Sequence, residues 1–303
     1  MTDKPIKNVP ASVRQRLLNK AKQDRRPFNE LLQYYGMERF LYRLSQSPYA
    51  KQFILKGGLM LRVWNVSESR PTMDIDMLGK TSNEPNQIVR QMQEILTLAV
   101  EPDGMTFDLA SIQTEPITKD ADYQGIRVRC LGYLDAARVN IQLDLGFGDV
   151  VFPQPETALL PTLLDYPAPQ LLCYSRESAI AEKFEAMLKL GALNSRMKDF
   201  YDIWVLSQQF DFDGANLTEA MRLTLNHRGT TVSEQILPFT EEFASAKQVQ
   251  WAAFYKRLGQ AGTPTEFVQV VMAIETFLAP LVFALLNQTL PPLTWVAGTA
   301  WRS

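Results

Sequence analysis

The segment "LKGGLMLRVWNVSESRPTMDID", residues 55–76, constrains the fold more than any other part of the chain. An apolar run ends at Lys56, two glycines follow, and Asp74 comes 16 residues after Gly58. Glycine lets backbone amides approach a phosphate, and a helix that begins there would offer its positive end. The pattern therefore predicts a strand, a phosphate loop and a helix, with a pair of acids further on.

The acid pair lies in "MDIDML", residues 73–78, whose alternation predicts a strand. Asp74 and Asp76 would then share one face, about 7 Å apart along the backbone. Carboxylate oxygens suit Mg²⁺ (or Mn²⁺), which completes its shell with phosphate oxygens and water. The alternative interpretation is a D-x-D that faces solvent at a strand edge.

A third acid, Asp144, occurs in "RVNIQLDLGF", residues 138–147, on the same predicted strand face as Asn140 and Gln142. If this strand lies beside the Asp74 strand, three carboxylates converge. Such close carboxylates repel one another, so a metal ion is their natural partner.

The element pattern predicts an α+β protein. A helix over 85–99 and strands over 105–113, 126–134 and 138–147 indicate a mixed sheet up to about residue 150. A proline-rich stretch, 152–169, then precedes a series of helices. We therefore expect a mixed-sheet α/β domain with a basic helical N-terminal arm over 1–165, and an all-helical C-terminal domain over 166–303.

Two helices of the second half carry a further charged cluster. Ser175 is a good N-cap for "RESAIAEKFEAMLKL", and "RMKDFYDIWVLSQ" follows the turn "GALNS". In an antiparallel hairpin, Lys183 and Asp202 lie at similar distances from the turn, and Asp199 is close by. We expect both aspartates on or near the polar side of their helix. The lysine would neutralise phosphate charge, or the group is a structural ion pair that joins the two helices.

The segments "LKGGLMLRVW", "SRPTMDIDM" and "AEKFEAMLKLGALNSRMKDFYDIWVL" together resemble the AbiEii/AbiGii-toxin family of nucleotidyltransferases, within the DNA polymerase β-like superfamily. The resemblance covers roughly residues 28–210. It implies transfer of a nucleotide from an NTP, in some members to the 3′ end of tRNA. It also implies a toxin of a type IV-like toxin–antitoxin or phage-defence system, with a separately encoded antitoxin.

The resemblance also assigns roles to residues of this chain. It makes Gly57 and Gly58 the phosphate loop and Asp74 and Asp76 the metal ligands. Lys183 with Asp199 or Asp202 forms the second cluster. Three further residues near the site, Lys56, Arg70 and Thr72, are candidates to hold phosphate oxygens, and Lys56 has the alternative role of ending a strand. Asp144 would help to deprotonate the acceptor hydroxyl or hold a metal.

Charge and composition bear on the acceptor and the compartment. The chain has a net charge of −2, but residues 1–56 hold 12 Lys/Arg against 4 Asp/Glu. This basic arm would bind RNA phosphates, or it is a solvated basic helix. Two distant cysteines, Cys130 and Cys173, and the absence of a signal-peptide pattern favour the cytoplasm. The apolar stretch 267–286 contains Glu275 and Pro280, so we expect a core helix and no membrane association.

Two other functions remain open on the sequence. One is a nucleotidyltransferase that modifies a small molecule or a protein hydroxyl, which the acidic remainder of the chain would suit. The other is a non-catalytic nucleotide-binding partner module. The three acids favour catalysis, since they are costly to keep together without a metal.

Overall fold

The computed structural model describes residues 8–67, 69–118, 124–260 and 262–302, which form two compact units. The first unit contains the chain up to Asn65, Pro71–Gly148 and Glu156–Cys173. The second contains Val66–Arg70, Asp149–Pro155 and the chain from Tyr174 onward. The domain boundary predicted at residue 165 thus falls inside a segment of the first unit, because the strand that ends at Cys173 pairs with the first unit's sheet.

Among the described residues, the first unit contains four α-helices. They are α1 (Val9–Asp24), α2 (Phe28–Gln46), α3 (Met60–Val63) and α4 (Pro85–Leu96). Helix α1 begins at Asn8, whose side-chain oxygen accepts a hydrogen bond from the Ala11 amide, as an N-cap does. Helix α4 starts with a proline in its first turn, where the missing amide hydrogen costs nothing. It ends three residues before the predicted end at 99.

The sheet of the first unit is mixed, as predicted. In the described residues its strands are β1 (Phe53–Lys56), β2 (Ile75–Gly79), β3 (Met105–Thr118), β4 (Gln124–Leu134), β5 (Ala137–Phe147), β6 (Glu156–Leu159) and β7 (Gln170–Cys173). Their spatial order is β3-β4-β5-β2-β1-β7-β6. Strand β2 runs parallel to β5, and β1 runs parallel to β7. The parallel pairing of β2 with β5 sets the positions of the acids.

The core of the first unit lies between this sheet and its helices. Helix α2 packs on β5 and β7, and α4 packs on β3. Along β5, Val139, Ile141 and Leu143 are buried while Asn140 is exposed. This is the alternation expected of a strand with one face on a core. Both cysteines are buried and free.

The second unit is mainly helical, with α5 (Arg176–Leu190), α6 (Met197–Gln209), α7 (Gly214–Arg228), α8 (Glu241–Leu258) and α9 (Phe267–Asn287). Ser175 caps α5 by accepting a hydrogen bond from the Ser178 amide, as predicted. The expectation of an all-helical domain needs a correction, since β8 (Phe212–Asp213), β9 (Thr294–Trp295) and β10 (Trp301–Arg302) form a small sheet. Trp295 of β9 is buried, and its ring packs against Phe277 of α9.

Helix α9 is the one helix among the described residues that is long and apolar enough to pass a length-and-composition test for a membrane span. Its apolar residues Val270, Ile274, Phe277 and Leu281 are buried within the second unit. They act as core side chains, which agrees with the sequence-based expectation for this stretch.

Candidate active site

Gly57 lies at the site with a backbone conformation that other residues rarely adopt. Its φ is +71°, and a Cβ placed on it would lie 2.0 Å from Oδ2 of Asp76. The carboxylate of Asp76 therefore lies directly against this glycine. The following turn, Gly57–Leu59, is a 3-10 helix that leads into the four-residue α3. The predicted helix is thus short.

The three predicted acids meet at the edge shared by β2 and β5. Asp76 and Asp144 are register partners across the parallel pair, and Asp74 lies one residue before β2 begins. The strand predicted from Met73 therefore starts later, at Ile75. Each carboxylate offers an oxygen that lies within 4.8 Å of the oxygens of the other two. Lys56, at the end of β1, is the register partner of Asp76 on its other side.

The hydroxyl of Thr72 is hydrogen-bonded to one of the three acids. Its Oγ1 donates a hydrogen bond to Oδ1 of Asp74 over 2.7 Å. The side chain of Thr72 is buried, at 5% exposure. Its hydroxyl hydrogen is therefore engaged with a carboxylate, which differs from the predicted phosphate contact.

Arg127 on β4 is a site residue that sequence reasoning missed. Its Nε and Nη2 donate to Oδ1 and Oδ2 of Asp144, each over 2.7 Å. Hydrogen bonding to Asp144 is the main cause that raises the pKa of Arg127, with partial burial acting in the opposite direction. The signal was the alternation in "IRVRC", which places Arg127 and Arg129 on one strand face. Their cross-strand partner could not be known before the pairing of β4 with β5.

The donor set fits a small divalent cation. Opposite oxygens in a Mg²⁺ octahedron are about 4.2 Å apart, since each lies about 2.1 Å from the ion. Adjacent oxygens in the same octahedron are about 3.0 Å apart. The three carboxylates each offer an oxygen within 4.8 Å of the other two, which is close to this range. Asp74 and Asp76 are half-buried and Asp144 is buried, so a bound ion would remain accessible to phosphate oxygens. Arg127 offsets one of the three negative charges.

The second predicted cluster lies in the second unit, where α5 and α6 bring its members together. Lys183 Nζ lies 3.3 Å from Oδ1 of Asp199 and 3.0 Å from Oδ2 of Asp202. The two aspartates are 5% and 1% exposed, which corrects the expectation that they lie on the polar side. Burial is possible because cations surround them.

Arg70 belongs to this second cluster. Its Nε and Nη2 donate to Oδ1 and Oδ2 of Asp202 over 2.7 and 2.9 Å. The guanidinium is buried in this fork. The structure thus gives Arg70 a carboxylate partner, where the sequence led us to expect phosphate oxygens.

The charges in this cluster stabilise one another. Burial favours the neutral forms of Lys183 and Asp202, but the opposite charges outweigh it. The pKa of Lys183 is raised, by Asp202 and then Asp199. The pKa of Asp202 is lowered, by Arg70 and then Lys183. Lys183 and Asp202 are therefore held in their ionised forms.

A glycine turn against a D-x-D pair, with a third acid on the adjacent parallel strand, defines this chain as a nucleotidyltransferase. A sequence model described as "Nucleotidyl transferase AbiEii toxin, Type IV TA system" matches residues 39–278. The chain belongs to this family of nucleotidyltransferase toxins. The family implies a nucleotide substrate and an antitoxin partner.

Two solved structures from Helicobacter pylori also match. A chain described as a candidate nucleotidyltransferase is 14% identical, with a TM-score of 0.47, and the match covers 88% of this chain and 96% of that one. The protein JHP933 is 14% identical, with a TM-score of 0.48, and the match covers 90% of this chain and 95% of that one. No curated protein matches the sequence.

Proposed function

We propose that this protein is a cytoplasmic, Mg²⁺- or Mn²⁺-dependent enzyme that transfers a nucleotidyl group from an NTP to RNA, at the 3′ end of tRNA. The observation that carries the proposal is the convergence of Asp74, Asp76 and Asp144 beside Gly57. Membership of the AbiEii family supports the reaction class. The metal, the RNA acceptor and the compartment are parts of the proposal.

In the proposed reaction, a hydroxyl of the acceptor gives up its proton to Asp144 or to water, and its oxygen attacks the α-phosphorus of the NTP. The bond from the α-phosphorus to its bridging oxygen breaks, and pyrophosphate leaves. Asp74, Asp76 and Asp144 would hold the divalent ion, which supplies charge neutralisation and polarisation of the phosphoryl oxygens when bound. The turn at Gly57 and Gly58 lets backbone amides approach the triphosphate.

Arg127 bears on the role of Asp144. Its guanidinium donates to both carboxylate oxygens of Asp144 in a two-bond fork, which fixes the orientation of this carboxylate. Both roles considered for this acid, metal binding and deprotonation of the acceptor hydroxyl, belong to the proposal. Arg127 would also limit repulsion among the three acids before a metal binds.

The basic first helix supports RNA as the acceptor. Arg14 and Lys22 of this helix and Arg25, which directly follows it, are exposed to solvent, where they are available to phosphates. We assign the second cluster, Lys183 with Asp199 and Asp202, to the nucleotide and the acceptor. The toxin role of the family leads us to propose that transfer arrests growth, in a toxin–antitoxin or phage-defence setting, until the antitoxin counteracts it.

The test combines purified protein with Mg²⁺, each α-³²P-labelled NTP in turn and total bacterial RNA, followed by a denaturing gel. We expect label on a tRNA-sized band with the wild type and none with Asp76→Asn. The control is Asp135→Asn, at an exposed hairpin turn with φ of +54°, which asparagine tolerates well. Label on protein, or on no RNA with any NTP, would contradict the proposal.

A further inference from the structure

Helix α2 contacts the acid-bearing segment through two adjacent side chains that no sequence motif marks. Tyr34 Oη accepts a hydrogen bond from the backbone amide of Thr72 over 3.1 Å. Gln33 Nε2 donates to the carbonyl oxygens of Asn140, over 2.6 Å, and of Met73, over 3.3 Å. Both residues precede the part of the chain that the family model matches, which begins at residue 39.

The contacts of Tyr34 lead to a metal-binding carboxylate in two steps. Tyr34 fixes the amide of Thr72, and the hydroxyl of Thr72 donates to Oδ1 of Asp74 over 2.7 Å. Tyr34 and Thr72 are 4% and 5% exposed. Satisfied hydrogen bonds that are buried from water make the local geometry rigid.

The ring of Tyr34 is itself held in place. The guanidinium carbons of Arg62 and Arg26 lie 4.6 and 5.5 Å from its centroid, within the range of a cation–π contact. The phenol therefore has little freedom to move away from Thr72. A substitution that removes only its oxygen would leave this packing intact.

Gln33 connects the two acid-bearing parts of the sheet. Asn140 lies on β5, four residues before Asp144, and Met73 directly precedes Asp74. The side-chain amide of Gln33 thus bonds to the backbone of both segments that carry acids, the one before β2 and β5 itself. Asp74 lies one residue before β2, so the hydrogen bonds between strands do not fix its position. The side chains of Tyr34 and Gln33 hold this segment instead.

We propose that Tyr34 and Gln33 are positioning residues that hold Asp74 at the metal-binding distance from Asp76 and Asp144. This inference rests on the proposed function, since it requires the acids to bind a divalent cation. Neither residue touches substrate in this proposal. Their effect on the reaction passes through the position of Asp74.

The test uses Tyr34→Phe and a neighbouring control, Tyr35→Phe. Tyr35 Oη donates to the carbonyl oxygen of Asp103 over 2.7 Å in a buried bond, so both variants lose one buried hydroxyl from the same helix. Of these two hydroxyls, the one on Tyr34 is connected to Asp74 by hydrogen bonds through Thr72. Mn²⁺ binding to the purified protein without nucleotide, measured by electron paramagnetic resonance titration, gives a readout independent of activity. Thermal melts in EDTA report the stability of each variant.

We expect Tyr34→Phe to weaken Mn²⁺ binding by about tenfold, as outer-shell substitutions do, while Tyr35→Phe binds Mn²⁺ like the wild type. Gln33→Met, which removes both donated bonds, should weaken binding to a similar extent. Equal Mn²⁺ affinity in Tyr34→Phe, Gln33→Met and Tyr35→Phe would overturn the positioning role.

Asp74→Asn separates this failure from a failure of the proposed function. If the wild type binds Mn²⁺ and Asp74→Asn does not, the metal site stands, and the Tyr34 and Gln33 variants alone decide the inference. If Asp74→Asn binds as well as the wild type, or if the wild type does not bind Mn²⁺, both the metal site and the inference are overturned.

Discussion

Arg127 and Asp144 form a two-bond fork across β4 and β5, with both nitrogen–oxygen distances at 2.7 Å. Arg127 is 27% exposed at its side chain and Asp144 is 9% exposed, so the pair is partly shielded from water. The Arg127 guanidinium binds the same two oxygens of Asp144 that a divalent ion would attract. The arginine and the metal therefore compete for the charge of Asp144.

The first prediction follows from this competition. Arg127→Gln removes the positive charge beside the three carboxylates. The free energy of unfolding of the metal-free protein should therefore fall by about 1–3 kcal/mol. The gain in Tm on adding Mn²⁺ should be larger than in the wild type. Melts in EDTA and in Mn²⁺ measure both quantities. Arg129→Gln is the control, because Arg129 pairs with Glu115 at 3.0 Å; an equal metal-induced gain in all three proteins would contradict the prediction.

The second prediction concerns Gly57. In Gly57→Ala the new Cβ would meet Oδ2 of Asp76 at 2.0 Å and the backbone would be strained at φ +71°. The carboxylate must move, and a displacement of about 1 Å at a reacting centre costs about a hundredfold in rate. Gly229→Ala shares the strain, at φ +62°, but has nothing within 4 Å of its Cβ.

Transfer rates of the two glycine variants, measured well below their melting temperatures, distinguish contact from strain. We expect Gly57→Ala to lose nearly all transfer activity and Gly229→Ala to keep it, although both melt earlier than the wild type. Comparable activity in the two variants would show that the contact with Asp76 is unimportant.

The third prediction tests whether Lys183 contributes only to structure. Lys183→Met leaves Asp199 and Asp202 with less positive charge, so the free energy of unfolding should fall by about 3 kcal/mol. If the lysine also binds the nucleotide, as we propose, KM for the NTP should rise. Lys198→Met, at an exposed position on the same helix as the aspartates, is the control. A lower stability with an unchanged KM would restrict Lys183 to the structural ion pair.

Much of this arrangement could be predicted from local sequence. The D-x-D pair and the third acid on an alternating strand follow from side-chain periods within single elements. The Lys183 cluster follows from two helices joined by a short turn. Arg127, Tyr34 and Gln33 could not be found in this way. Their partners lie on other elements, and which strands and helices are neighbours depends on the packing of the whole unit.

The same reason explains where the structure differs from the expectations for Arg70 and for the aspartates of α6. Arg70 flanks the acids in sequence, which predicts a phosphate contact, and in the structure it pairs with Asp202, 132 residues away. The aspartates of α6 looked solvent-facing because charged residues usually are. Their cations, Arg70 and Lys183, come from other segments and make burial possible.

The last prediction concerns Glu38, a buried carboxyl on α2 that is 3% exposed. Its Oε2 accepts a hydrogen bond from the Leu163 amide over 2.7 Å, and Arg39 lies 2.9 Å away. Burial is the main cause that raises the pKa of Glu38 to about 7, although Arg39 lowers it. The ordinary value is near 4.5.

The folded protein therefore holds a proton on Glu38 between about pH 4.5 and pH 7, where the unfolded chain has lost it. Stability from this group is fully present below pH 4.5 and is lost as the pH rises to about 7. The full loss amounts to about 3–4 kcal/mol, from about 2.5 pKa units at about 1.4 kcal/mol per unit. Glu38→Gln, which keeps an acceptor for the Leu163 amide, should lack this dependence.

Urea unfolding at pH 5, 6, 7 and 8 measures the effect. The wild type should lose stability relative to Glu38→Gln over this range, because only the wild type must bury a negative charge at high pH. Glu101→Gln, at an exposed position, should run parallel to the wild type at every pH. If Glu38→Gln also runs parallel to the wild type, Glu38 has the same pKa in the folded and unfolded states and the prediction is wrong.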